Sequence, residues 1–253
     1  MSSFKNKAFM VTGAARGIGL EYCRQLGALG ASVIAVDINS CEETVRAVID
    51  AGGQAIAGIV DVTDMATIDA AVLKALDAFG RLDGLVNNAA LYGSLRGGRF
   101  TDIPEKDWDA AMAVNVRGIW NCCKAAVPAM RKTGGGSIVN IASLAATYGL
   151  AFALHYTTSK AAVIGLTRGL ARELGRDNIR VNAISPSLVL TEGTREFFGE
   201  KAAKALQVIA EDQAISRNLS AKDVTGTVMW LLSDQSQFVT GQNIAVDGGT
   251  IMH

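Results

Sequence analysis

The chain has little of what would staple it, load it with metal or bind it to a polyanion. Its four cysteines, Cys23, Cys41, Cys122 and Cys123, form no C-x-x-C pair. The two histidines, His155 and His253, lie far apart. No spacing here suits a zinc site, and the thiols read as small apolar residues of a reducing compartment. No sign of charge dominates, since 24 basic residues balance 24 acidic ones. That argues against nucleic acid and anionic membranes as partners. Long apolar runs are missing too: the stretch 144–154 is short and carries Gly, Thr and Tyr. The start, Met1 followed by Ser2 and Ser3, runs straight into a strand pattern and does not read as a signal peptide. A cytoplasmic protein is expected.

What is present is the composition of a compact soluble protein. Hydrophobic residues make up 49%, glycines number 27 and prolines only three. A chain of 253 residues buries roughly three quarters of its unfolded surface and needs no disulfide or metal to hold it. Short apolar runs alternate with helical patterns. Strands are predicted at 8–11, 32–36, 54–60, 85–86, 137–141, 180–184 and 243–246. Helices are predicted at 17–29, 41–51 with Ser40 as N-cap, 64–79, 105–131, 156–174 and 222–232. This alternation implies βαβ units and a parallel sheet. Unbroken apolar strands such as Val33-Ile34-Ala35-Val36 suit a sheet covered on both faces. The expected fold is α/β: one domain over 1–253, a doubly wound, seven-stranded Rossmann-type parallel sheet with helices on both faces. Residues 188–216 break the rhythm with an irregular, amphipathic segment, expected to be a substrate-binding lobe.

The first strand leads into Thr12-Gly13-Ala14-Ala15-Arg16-Gly17-Ile18-Gly19. Glycines serve where a backbone turns sharply or approaches a ligand closely. The helix N-terminus that follows offers free N–H groups and a positive dipole end to a pyrophosphate. The spacing is G-x-x-x-G-x-G, not the commoner G-x-G-x-x-G. Asp37 ends the second strand, where a carboxylate accepts from adenosine ribose hydroxyls and repels a 2′-phosphate. NAD is therefore expected over NADP. Arg16 complicates this, since a base in the loop suits a 2′-phosphate. However, Ile38 and Asn39 after Asp37 add no second base. Asp61-Val62 follows the third strand, where a carboxylate can bond the adenine amino group. Asn87-Asn88-Ala89 follows the fourth, beside the expected crevice.

Tyr156 and Lys160 stand four apart on a predicted helix and so share a face. A phenol has a reference pKa of about 10, which a nearby cation lowers. Proton transfer by Tyr156 is the expected use. Ser143, at the end of the fifth strand, is placed to hydrogen-bond a substrate oxygen. Asn115 is mildly unfavourable inside a helix, which hints at a role.

Together these residues resemble the short-chain dehydrogenase/reductase family over nearly the whole chain. The glycine turn resembles its cofactor motif. Asn87-Asn88-Ala89-Ala90 resembles its N-N-A-G motif, with Ala90 for glycine. Asn115, Ser143, Tyr156 and Lys160 match its catalytic tetrad. Val246-Asp247-Gly248-Gly249 resembles its last strand. The resemblance implies hydride transfer to or from the pro-S face of nicotinamide C4. Tyr156 is then the acid/base and Ser143 holds the substrate oxygen. Lys160 holds the nicotinamide ribose and lowers the tyrosine pKa. Asn115 supports a water that links Lys160 to solvent. Gly13, Arg16, Gly17, Ile18, Gly19, Asp37, Ile38, Asp61, Val62, Asn88 and Ala89 are the implied dinucleotide contacts. Pro186, Val189 and Thr191 join Tyr156 and Lys160 at the nicotinamide end.

Ser187 stands where the family usually has glycine. Pro186-Ser187-Leu188-Val189, with Tyr92 and the terminal His253, is similar to the phenylethanol dehydrogenase branch. This implies an apolar or aryl secondary alcohol. The candidate pocket is Tyr92, Leu144, Leu150, His155, Ser187 and Leu188, with Tyr148, Phe197 and Phe198 nearby. No metal is expected. The resemblance also implies a homotetramer, pairing through the helices that begin near Glu105 and Tyr156. Ala161, Ala162, Gly165 and Gly169 would allow close approach there. Two other readings stay open: an NADPH-dependent 3-oxoacyl-thioester reductase, which Asp37 and the neutral charge oppose, and an NAD-sensing binding protein on the same scaffold.

Overall fold

The computed structural model describes residues 4–252; His253 and the start of the chain lie outside the described residues. Seven strands form one sheet in the order β3-β2-β1-β4-β5-β6-β7. They are β1 (Ala8–Thr12), β2 (Ser32–Asp37), β3 (Gln54–Ile59), β4 (Gly84–Asn87), β5 (Gly136–Ile141), β6 (Ile179–Pro186) and β7 (Asn243–Val246). Every pairing is parallel. The doubly wound fold expected from the alternation is the one observed.

Helices cover both faces. On one lie α1 (Gly17–Ala28), α2 (Glu42–Asp50) and a later helix at Ala221–Leu232. On the other lie α3 (Met65–Phe79), the long helix at 105–132 and the helix at Leu154–Leu174. Alternating strand residues feed two separate cores. Met10, Ile34 and Val36 pack with Ile68, Met130 and Val163. Phe9, Val11, Val33 and Ala35 pack with Tyr22, Leu26, Val228 and Leu231 on the opposite face. Both faces being apolar explains why β1 and β2 read as continuous hydrophobic runs. Each fully buried side chain of this size contributes about 1.5–3 kcal/mol.

Strand order reverses between β1 and β4, so their crossovers diverge at the carboxyl ends. That opens a crevice where parallel sheets of this kind bind ligands.

Several boundaries differ from expectation. Cys41, not Ser40, is the residue before α2, and the Ser40 hydroxyl only weakly accepts the Glu42 N–H at 3.4 Å. The helix at 105–131 has three parts: α4 (Glu105–Met112), a π-helical turn (Ala113–Arg117) and α5 (Gly118–Lys132). Such turns occur often at functional sites, and Asn115 lies within this one. A short α6 (Ala145–Tyr148) precedes α7 (Leu154–Leu174). The expected irregular lobe holds two helices, α8 (Glu192–Phe198) and α9 (Ala202–Asp212). The last helix, α10 (Ala221–Leu232), begins on a Ser220/Asp223 capping box.

Candidate active site

The glycine turn is held by side chains from β1 and the end of β4. Thr12 Oγ1 accepts the N–H groups of Asn88 and Ala89, each at 3.0 Å. The Asn88 amide donates back to the carbonyls of Thr12 (3.0 Å) and Gly13 (2.9 Å). Gly13 sits at φ +64° with no space beside it: a Cβ there would stand 2.7 Å from Ala89 Cα. A Cβ on Gly19 would run into the Gly13 carbonyl oxygen. Gly17, at φ +60°, faces open space instead, with nothing nearer than the Thr191 methyl at 3.9 Å. Arg16 leads into α1 without a side-chain cap. The first-turn amides of a 12-residue helix thus face a cradle that a side chain on Gly17 would fill.

The crevice in front of that turn has a volume of about 500 Å³. Gly13, Arg16, Gly17, Ile18, Asp37, Ile38, Asp61, Val62, Asn88, Ala89 and Thr191 line it. Asp37 is fixed by its neighbours. Its carboxylate accepts from the Ala15 N–H at 3.1 Å and the Asn39 N–H at 2.9 Å. Asp61 accepts from the Thr63 N–H (2.8 Å) and hydroxyl (2.7 Å). These groups fit an adenosine dinucleotide: N–H donors at a helix start for an anion, with carboxylate acceptors where ribose and adenine would lie. Gly19 is the exception among the expected contacts. It is buried against the Gly13 carbonyl and lets helix and strand approach closely.

Beside the crevice lies a second cavity of about 700 Å³. Ile18, Asn88, Ala90, Tyr92 and Thr191 line both. Ser143, Tyr156 and Lys160 converge on its wall. Ser143 follows β5, and its oxygen accepts the Ala145 N–H at 3.2 Å as α6 begins. Its hydroxyl lies near enough to the Tyr156 phenol to favour the ionised form. Lys160, one turn along α7, places Nζ 5.8 Å from the centre of the Tyr156 ring. The helical spacing thus brings phenol and amine together as expected.

The electrostatic balance differs from expectation. Desolvation pushes the Tyr156 phenol up to about 12, opposed only in part by the Ser143 hydroxyl. Burial brings Lys160 down to about 8. Lys160 was expected to lower the phenol pKa, but its amine is committed elsewhere and donates to the Ile141 carbonyl at 2.7 Å. Burial is the leading cause of both shifts.

The Asn115 side chain bonds to Leu91 and Ser159, not to Lys160. Its amide clamps the Leu91 backbone, accepting the N–H at 2.7 Å and donating to the carbonyl at 3.1 Å. It also donates to Ser159 Oγ at 3.0 Å, and Ser159 donates to the Tyr156 carbonyl at 2.7 Å. Ser159 is a link that sequence reading missed, since a serine inside a helix carries no signal of its own.

Of the expected pocket residues, Tyr92, Leu144, Leu150, Ser187 and Leu188 line the second cavity, as do Tyr148 and Phe198. Pro186 and Val189 line it too. His155 does not. One residue along a helix turns a side chain by about 100°, and His155 points into the interior, fully buried with both ring nitrogens unpartnered. Phe197 instead stacks on Tyr92, with ring centres 4.4 Å apart. Tyr92 in turn lies 4.8 Å from Tyr156. Val208, Ile209, Glu211 and Asp212 of α9, with Ile251, complete the wall. The four α9 residues fall within the lobe expected to bind substrate at 188–216, but no local pattern singled them out or Ile251 as lining residues. Among the described residues no cluster could hold a metal ion, and no helix is long and apolar enough to cross a membrane.

This geometry agrees with the comparisons. Residues 13–251 match the family model described as Enoyl-(Acyl carrier protein) reductase. The chain is 36% identical over 250 residues to the 3-oxoacyl-acyl-carrier-protein reductase FabG of Thermotoga maritima, covering 98% of this chain and 99% of that one. A short-chain dehydrogenase from Mycobacterium paratuberculosis, solved bound to NAD, superposes with a TM-score of 0.90 at 33% identity, over 98% of this chain and 99% of that one. Carveol dehydrogenase from Mycobacterium avium, in complex with NAD, gives 0.91 at 30% identity over 99% of each chain. The chain belongs to the short-chain dehydrogenase/reductase family of oxidoreductases.

Proposed function

We propose that this oxidoreductase uses NAD to interconvert a secondary alcohol and its ketone, with an apolar or aryl substrate favoured. One observation carries the reading. Ser143, Tyr156 and Lys160 meet on the wall of a largely hydrocarbon cavity that shares five residues with the crevice of the glycine turn. The dinucleotide, when bound, supplies the hydride acceptor or donor at its nicotinamide ring. Gly13, Gly17, Asp37 and Asp61 would hold its adenosine and pyrophosphate, with Val189 and Thr191 at the other end.

The side chains handle the proton and the substrate oxygen. Ser143 orients that oxygen by hydrogen bonding. Tyr156 gives a proton to it in reduction and takes one in oxidation. A phenol pushed up by burial carries its proton at neutral pH, as donation in reduction requires. Lys160, which keeps further N–H donors beyond the one given to Ile141, would hold the nicotinamide ribose of a bound dinucleotide. Asn115 and Ser159 fix the backbone of Leu91 and Tyr156 around it.

The fatty-acyl relative raises the alternative of a 3-oxoacyl-thioester substrate. The cavity wall speaks against it. Among the described residues Lys160 is its only cation, while Glu211 and Asp212 contribute two carboxylates. An anionic thioester carrier meets repulsion there. The two NAD-bound neighbours support the choice of NAD. The small-residue face of α7, exposed at Ala161, Gly165 and Gly169 and half-buried at Ala162, supports self-association into a tetramer; Gly165 and Gly169 face open space. Sedimentation giving only monomer would refute that part.

A panel of secondary alcohols with NAD, followed at the nicotinamide absorbance, tests the reaction. Tyr156→Phe is expected to retain NAD binding and lose turnover. Near-native turnover in that variant ends the mechanistic reading, as does a bound dinucleotide with no oxidation of any alcohol in the panel.

A further inference from the structure

Arg16 sits in the glycine turn, yet its guanidinium does not stand free in the crevice. It reaches the lobe. Nη1 meets Glu196 Oε1 at 2.6 Å and Glu192 Oε2 at 3.0 Å, and Nη2 donates to Glu196 Oε2 at 3.0 Å. Glu192 and Glu196 are four apart, so α8 presents both on one face. The start of that helix is anchored: Thr194 Oγ1 donates to the Val189 carbonyl at 2.6 Å, and Thr191 Oγ1 accepts the Thr194 N–H at 3.3 Å. Space for Glu196 is made by Gly93, where a Cβ would lie 2.5 Å from Glu196 Oε2. Arg16, Glu192, Gly193, Glu196 and Asp37 all line the one crevice.

We infer that Glu192 and Glu196 set the dinucleotide preference by occupying Arg16, which denies its guanidinium to a 2′-phosphate. The inference rests on the NAD reading above. A planar guanidinium binds a phosphate or a carboxylate through the same paired donors. Arg16 has those donors engaged on Glu196, with Glu192 sharing one nitrogen. A 2′-phosphate must therefore displace two carboxylates that remain beside it, with Asp37 as a third. Two surface carboxylates so close together repel each other unless Arg16 stays between them. The clasp is thus favoured from both sides. It also resolves the conflict in the sequence, where a loop arginine suggests one dinucleotide and Asp37 the other.

Binding, not turnover, gives the test. Dissociation constants for NADH and NADPH are measured by fluorescence titration on the full chain. Those for 5′-AMP and adenosine 2′,5′-bisphosphate are measured by calorimetry. The variants are Glu192→Gln/Glu196→Gln, and the same pair with Arg16→Ala. The NADPH-to-NADH ratio of dissociation constants is expected to fall about tenfold in the double variant, with NADH affinity kept, and to return when Arg16 is removed. A ratio within twofold of the parent's overturns the inference. So does a gain that persists without Arg16, which would reflect lost negative charge alone. A parent protein that itself prefers NADPH refutes the NAD reading instead. A parent that prefers NADH, with an unmoved ratio in the variants, refutes only the clasp.

Discussion

The Lys160 amine lies 5.8 Å from the centre of the Tyr156 ring and donates its 2.7 Å hydrogen bond elsewhere, to the Ile141 carbonyl. The pair is therefore two buried groups, each shifted toward its neutral form. The lysine has the clearer consequence for stability.

Burial holds Lys160 near 8 in the folded protein, against a reference of about 10.4 when unfolded. Below 8 both states carry the proton, and folding bears the cost of a buried charge. Between the two values the unfolded chain binds more protons, so stability rises with pH. Above that window no further gain follows. The difference in unfolding free energy between the parent and Lys160→Met is expected to move by roughly 3 kcal/mol at most from pH 7 to 10.5. The parent gains over that range. Denaturant titrations across the range read this directly. A flat difference would show the amine to be solvated.

Asn115 offers a different lever. Asn115→Ala leaves the Leu91 N–H and carbonyl without their partners and removes the donor to Ser159. Each buried group left unpaired costs about 1–3 kcal/mol. The melting temperature should fall by several degrees. Amide exchange at Leu91 should quicken more than exchange in β1. Unchanged exchange at Leu91 would remove the clamp from the account.

The acidic wall of the substrate cavity predicts a charge effect. Glu211→Lys/Asp212→Lys should raise kcat/KM for an anionic keto-thioester several-fold relative to a neutral aryl ketone at low salt. The gain should shrink as salt shortens the screening length toward about 3 Å at 1 M. An equal change for both substrates would assign those residues to packing alone.

How far the sequence carries can be judged from particular residues. The strands were legible because two apolar faces leave an unbroken hydrophobic run, as at Val33–Val36. Tyr156 and Lys160 were legible because a spacing of four fixes a shared helix face. His155 was misplaced by the same geometry, since adjacency along a helix separates side chains. Ser40 looked like a cap by residue type alone, but the helix begins one residue later than its hydroxyl can serve well. The links between Arg16 and Glu196, or between Tyr92 and Phe197, join segments over a hundred residues apart. No local pattern encodes them. They arise only when the lobe folds back over the sheet.

All four thiols are free and buried, and the sheet divides them. Cys23 and Cys41 belong to the core under α1 and α2, and Cys122 and Cys123 to the core under α5. Only the thiolate is nucleophilic, and burial holds these groups in the protonated form. An alkylating reagent therefore meets them only when the chain opens. Peptide mapping of the adducts then gives each half of the molecule its own clock, a pair of built-in reporters of whether the two halves come apart together or in turn.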